Sequence, residues 1–183
     1  LPHWQQGEVM QFVTFRLADA LPQMKLQQWR EERDCWLRLN PKPWDLRRQR
    51  EHYQRFTGRF EKWLDAGMGS CILRDPEMRE ALARTLMKDQ DVRVEHEAWV
   101  IMPNHVHLLF TPKAPIELLL KTWKGVSARR MGKGSVWQAN YRDTLVRDGG
   151  HFLNAVRYIR RNPKGLRGDD YTLWEGERAR GVD

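Results

Sequence analysis

The segment Glu97–Pro112, EAWVIMPNHVHLLFTP, sets His105 and His107 one residue apart inside an apolar run. In a β-strand, side chains at i and i+2 share a face, with Cβ atoms roughly 6–7 Å apart. Two neutral imidazoles placed that way can converge on one divalent cation. In a helix the same spacing would splay them by about 200°. Metal chemistry here therefore requires a strand, and the alternation supports one: Val106, Leu108 and Phe110 turn to the core, while His105, His107 and Leu109 turn outward. The plainer alternative is two polar residues on the solvent face of a hairpin, and a bare His-x-His leaves that open.

A second group of chemically capable residues lies near the end of the chain, in HFLNAVRYIRRNP. Phe152, Ala155, Val156 and Ile159 make an i, i+3, i+4, i+7 stripe, the signature of a helix packed on a core. Tyr158 and Asn162, one turn apart, line one edge of that stripe, and Arg157, Arg160 and Arg161 take the outward side. Taken singly, the tyrosine reads as a packed aromatic with a wet hydroxyl and the asparagine as a helix-ending residue before Pro163. His3, His52, His96 and His151 have no partner by spacing and read as ordinary.

These side chains need elements to carry them. Gly7–Leu17, rich in β-formers, reads as a first strand. A helix through LPQMKLQQWREERDCWLRL follows. A second, arginine-rich helix is capped by Asp45 and runs to about Gly67, and a third has Asp75 as cap and Pro76 at its first turn. VRVEHEAWVI and NHVHLLFTP form a hairpin across a tight turn. Then come a helix over APIELLLKTWKGVSARRM, a short strand in QANYRDTLVRD, the final helix stopped by Pro163, and a tail expected to be irregular. The order matches a split βαββαβ, or ferredoxin-like, antiparallel sheet in an α+β fold. One domain over 1–183 is expected, with a helical insertion at about 40–70.

Composition narrows the function. No apolar run approaches the roughly 20 residues that span a bilayer, so no membrane role is expected. Cys35 and Cys71 lack CxxC spacing, which suits a reducing cytoplasm and excludes zinc-finger and disulfide scaffolds. The net charge is +8, and it is uneven: residues 1–112 hold 17 Lys/Arg against 16 Asp/Glu, residues 113–183 hold 15 against 8. A basic, aromatic-containing half is the footprint of a polyanion partner, nucleic acid first of all.

WVIMPNHVHLLF, followed some fifty residues later by YIRRNP, resembles the HUH single-tyrosine transposases, specifically the REP-associated tyrosine transposases of bacteria. The likeness extends through FVTFRLADALP, GRFEKWLDAG, CILRDPEM, SVWQANYRDTLVRD and HFLNAVRYIRRNP, nearly the whole chain, and loosens in KGLRGDD after Pro163. It implies that His105 and His107 bind the metal and that Asn162 is the third protein ligand. It implies that Tyr158, on the C-terminal helix, is the nucleophile. The implied activity is a metal-dependent single-stranded DNA endonuclease and strand transferase cutting at hairpin repeats through a 5′-phosphotyrosine. Mg²⁺ or Mn²⁺ is the implied metal, with no nucleotide cofactor. The partner would be single-stranded or hairpin DNA, the assembly a monomer or homodimer, and the location the bacterial cytoplasm, on the nucleoid.

Around this core, Lys121, Lys124, Arg129, Arg130 and Lys133 could track phosphates, as could Arg157, Arg160 and Arg161. Trp123 and Trp137 could stack bases, or simply pack in the core. Arg47, Arg48, Arg50 and Arg55 have weaker claims because acidic neighbours offset them. Two other readings stay open: a domesticated protein that binds DNA hairpins without cutting, and an unrelated metal hydrolase in which Tyr158 is structural.

Overall fold

A computed structural model describes residues 8–183; His3 lies outside them. The chain divides into two compact units. The larger comprises the first strand and everything from Cys71 onward, and Asp19–Ser70 forms the smaller, helical one. The helical insertion thus begins at Asp19 rather than about residue 40.

The larger unit is built on one antiparallel sheet: β1 (Gln11–Arg16), β2 (Val94–Ile101), β3 (His105–Pro112), β4 (Arg142–Leu145) and β5 (Thr172–Glu175), in the order β4-β1-β3-β2-β5. The first four strands follow the expected βαββαβ arrangement. The fifth was not expected. The tail folds because Leu173 and Trp174 offer β2 a second neighbour: Trp174 pairs with Trp99 in register and stacks on its ring at 5.9 Å. A short helix, Glu177–Arg180, closes the chain.

Both faces of the sheet are covered. Register places Val13, Phe15, Val106, Leu108, Trp99 and Ile101 on one face, all buried. The other face carries Phe12, Thr14, His105, His107, Leu109, Ala98 and Val100. The penultimate helix of the unit, Gly149–Arg161, lies over that second face, capped by Asp148, whose carboxylate accepts from His151 N at 2.8 Å. Its stripe of Phe152, Ala155, Val156 and Ile159 packs with Ala98, Val100 and Leu109 into one core cluster. The expectation that the histidines face outward to solvent is therefore corrected. Both are 1% exposed, because the helix lies over their face of the strand.

With the other helices placed, the labels run α1 (Gln23–Leu39), α2 (Leu46–His52), α3 (Arg59–Asp65), α4 (Pro76–Met87), α5 (Ile116–Arg130), α6 (Gly149–Arg161) and α7 (Glu177–Arg180). The long helix expected after Asp45 is interrupted by a wide π-helical turn, Tyr53–Gly58, between α2 and α3. Within the helical unit, Trp36, Trp44, His52 and Phe56 pack ring against ring at 4.7–5.8 Å. Among the described residues, no helix is long and apolar enough to cross a membrane.

Candidate metal and nucleophile site

The covered face of the sheet brings the four singled-out residues together. Strand β3 presents His105 and His107 on adjacent like-facing positions, and their Nε2 atoms approach to 3.1 Å. Each outer nitrogen is held from behind. His105 Nδ1 bonds Asn104 Oδ1 at 2.8 Å, and His107 Nδ1 bonds Thr14 Oγ1 at 2.7 Å. Because the Asn104 carbonyl oxygen only accepts, His105 Nδ1 must carry the hydrogen, leaving its Nε2 lone pair pointed at His107. Hydrogen bonds of this kind, on the ring nitrogen away from the ion, orient imidazole for a metal.

Burial acts in the same direction. Desolvation pushes His105 down to about pKa 3, outweighing the neighbouring Asn162 side chain, which acts to raise it. His107 is held well below the usual histidine value by burial first, then by the neighbouring His105 and the Arg142 charge. Both rings are thus neutral, the form that ligates.

Helix α6 contributes the rest. Asn162, at the helix C-cap, lies beside His105, and its Oδ1 is buried without a hydrogen-bond partner. Tyr158, one turn earlier, sets its ring edge-on to His107 at 5.1 Å and edge-on to Phe12 at 5.6 Å, with its hydroxyl oxygen buried. Phe12 also stacks on His107 at 5.5 Å, so that imidazole is flanked by rings on two sides.

The residues fit a divalent ion. Two Nε2 atoms 3.1 Å apart are at the spacing of neighbouring ligands on one ion with bonds of about 2.1 Å. The orphaned Asn162 oxygen is a third donor beside them. Among the described residues no cluster of three or more His, Cys, Asp or Glu could hold a metal, so an ion held here would need the amide oxygen as its third protein ligand. Such a set contains no carboxylate and leaves the ion's full charge available to an anion.

Sequence reasoning missed four residues. Thr14 and Arg142 reach the site only through register: Arg142 pairs with Thr14, and Thr14 pairs with His107, so the three stand in one row across β4, β1 and β3. Phe12 enters the same way, two residues along β1. Asn104 was in plain view beside His105, but only the fold reveals it as the residue behind that ring.

The expected DNA-contacting residues divide. Trp123 is fully buried, donating to Asp89 Oδ2 at 2.7 Å and packing edge-on against Phe110. Trp137 is buried against Phe15 and donates to Ser127 Oγ at 2.9 Å. Neither offers a face to a base, which corrects the stacking expectation. Lys124 is also taken up internally: its Nζ donates to the carbonyls of Gln138, Ala139 and Asn140, and burial lowers it to about pKa 8. Arg160 pairs with Glu175 at 2.9 Å and donates to the Val182 and Ala179 carbonyls, holding the C-terminal segment to α6 rather than reaching outward. Arg157 donates to the Asp183 carbonyl, and Arg130 to Thr85 Oγ1. Lys121, Arg129, Lys133 and Arg161 are exposed.

The class these features define is a mixed α/β protein with a five-stranded antiparallel sheet, a buried histidine pair, and a helix carrying tyrosine and asparagine against it. Among solved structures the chain is similar to a REP-associated tyrosine transposase bound to a REP hairpin, with a TM-score of 0.51 and 15% identity, covering 97% of this chain and 91% of that one. At this identity the likeness establishes a shared fold. No family model matches the sequence, and no curated protein does.

Proposed function

We propose that the chain is a divalent-metal-dependent endonuclease and strand transferase for single-stranded DNA, acting at hairpin repeats with Tyr158 as nucleophile. The observation that carries this reading is the convergence of His105 Nε2, His107 Nε2 and the partnerless Asn162 oxygen beside the ring of Tyr158. The similarity in fold to a hairpin-bound tyrosine transposase supports the choice of substrate.

When bound, Mg²⁺ or Mn²⁺ supplies Lewis-acid charge at the scissile phosphate. The chain's own residues do the remaining work. Thr14 and Asn104 fix the imidazoles, and Phe12 and His107 hold the tyrosine ring at a fixed angle. Tyr158 Oη gives up its proton and forms a bond to phosphorus. The bond to the 3′ oxygen breaks, and that oxygen leaves as a 3′-hydroxyl after taking a proton. The 5′-phosphotyrosine so formed is again a phosphodiester, so attack by another 3′-hydroxyl reverses the step without a nucleotide cofactor. A free phenol is only about 0.1% ionised at neutral pH, so cleavage requires cationic help at the site. Arg142, in line with Thr14 and His107, stands at the sheet edge from which such charge acts.

The test is incubation with a labelled single-stranded hairpin and Mg²⁺ or Mn²⁺. A covalent protein–DNA adduct is expected, absent in Tyr158→Phe. Cleavage that persists in that variant overturns the nucleophile assignment. Hairpin binding by the unaltered chain with no cleavage overturns the enzymatic reading in favour of a binding protein.

A further inference from the structure

The stretch Arg38–Arg50, RLNPKPWDLRRQR, joins the end of α1 to α2 and carries five cations (Arg38, Lys42, Arg47, Arg48, Arg50) against one carboxylate. That carboxylate, Asp45, is committed to capping α2, accepting from Arg48 N at 2.7 Å. All five cations are exposed, and α2 buries none of its side chains.

The arrangement is built rather than loose. Trp44 donates to the Asn40 carbonyl at 2.8 Å, Gln49 Nε2 donates to the Trp44 carbonyl at 2.9 Å, and Arg48 donates to Asn40 Oδ1. Lys42 Nζ lies 5.1 Å from the Trp44 ring centre. His52, which belongs to the aromatic cluster, marks the side of α2 that faces inward. At about 100° per residue, Arg47 and Arg50 lie roughly 140° and 160° round the helix from His52, on the opposite side.

Elsewhere in the same unit three arginines are paired with carboxylates: Arg33 with Asp34, Arg55 with Glu51, Arg59 with Glu32. Arg47 and Arg50 have no such ion pair among the described residues. Two unpaired guanidiniums one turn apart, on a helix with no packing duty on that side, suit successive phosphates of a nucleic-acid backbone.

We infer that the helical unit carries a second DNA-binding surface, centred on Arg47 and Arg50 with Lys42 and Arg48 beside them, that grips the phosphates of duplex DNA such as a hairpin stem. The inference rests on DNA being the partner, as proposed above, and not on the metal or on Tyr158. The surface reads charge and spacing rather than bases, so it contributes affinity without sequence choice.

The test measures binding of the full chain to a stem-bearing hairpin in EDTA over a range of salt, so neither metal nor cleavage enters. The Arg47→Ala/Arg50→Ala double variant is expected to lose at least about tenfold in affinity at moderate salt. It should also flatten the slope of log Kd against log salt by about 2, near 0.9 for each phosphate no longer neutralised. Arg47→Lys/Arg50→Lys is expected to recover most of both. An oligonucleotide without a stem is expected to lose less than about twofold. Thermal melting of both variants checks that the helical unit is intact. Unchanged hairpin affinity and slope in the double alanine variant would overturn the inference. So would an equal loss for the stemless strand. A protein partner docking on the exposed Leu39 and Leu46 beside the patch would give the first of those results. Failure of covalent-adduct formation would count against the enzymatic reading alone.

Discussion

Thr14→Val isolates one contact of the proposed metal site. Valine keeps the branched shape that suits the strand and removes only the hydroxyl, which bonds His107 Nδ1 at 2.7 Å. The removed bond leaves His107 Nδ1 without its partner at a position 1% exposed. A buried group so stranded costs about 1–3 kcal/mol, and without the bond the ring can turn or adopt the tautomer that places hydrogen on Nε2. Loss of the hydrogen-bond partner behind a metal-bound histidine weakens binding by about 10–100-fold, which at 1.4 kcal/mol per decade corresponds to about 1.4–2.8 kcal/mol. The two ranges agree, so the expected result is a fall in Mn²⁺ affinity of that size. It is read by calorimetric titration of the protein without DNA. Thr14→Ser, which keeps the hydroxyl, is expected to stay within about threefold of the unaltered chain. Equal Mn²⁺ affinity in all three proteins would refute the reasoning that Thr14 orients a ligand. A loss in Thr14→Ser as large as in Thr14→Val would show that retaining the hydroxyl is not what preserves the affinity.

Two further outcomes are expected. His96 is 3% exposed, between Phe110, Trp123 and Trp174, and burial lowers it to about pKa 4 despite the Leu86 carbonyl and the nearby Asp89 and Asp91. Its folded value lies below the unfolded 6.5, so its stabilising contribution is full above about pH 6.5 and is lost as pH falls toward 4. Linkage gives about 2 kcal/mol of lost stability from this group by about pH 5, seen as a lower urea midpoint; a His96→Phe variant retaining the same pH slope would rule His96 out as the cause. Arg160→Ala strands the Glu175 carboxylate, 17% exposed, along with two carbonyls. It is expected to destabilise the fold by about 1–3 kcal/mol and to speed amide hydrogen exchange in 172–183 more than in β3; uniform exchange across both segments would count against a local fastening role.

Legibility from sequence followed the range of the interactions involved. Alternation in β3 and the stripe in α6 are local patterns, so the strands, the final helix and its buried face could be read directly. The α+β architecture followed from their order. The outward placement of the histidines failed because the pattern separates the two faces of a strand without saying what covers each one. Helix α6 covers this one from more than forty residues downstream. Thr14 was beyond reach for a similar reason: it meets His107 across 93 residues, through a register no single strand encodes. The tail looked irregular because its ordering comes from β2 and from guanidinium bonds to backbone carbonyls, not from its own periodicity. The tryptophans and Lys124 show a limit of composition. Aromatic and basic residues beside one another suit nucleic acid, yet here they are consumed by Asp89, Ser127 and three loop carbonyls.

The position of β1 between β3 and β4 has a bearing on how the chain matures. As synthesis proceeds from the N-terminus, β1 emerges first, yet neither strand beside it exists until residues 105–112 and 142–145 have been made. The helical unit, contiguous from Asp19 to Ser70, can complete itself in that interval, while the sheet waits. Closing such distant pairings is slow relative to local helix formation. Asn162 and Tyr158 arrive later still, so the histidine pair has neither its amide neighbour nor its neighbouring phenol until the chain has been made through residue 162. A chain halted before Tyr158 would therefore display the basic helices without the site proposed to break a strand.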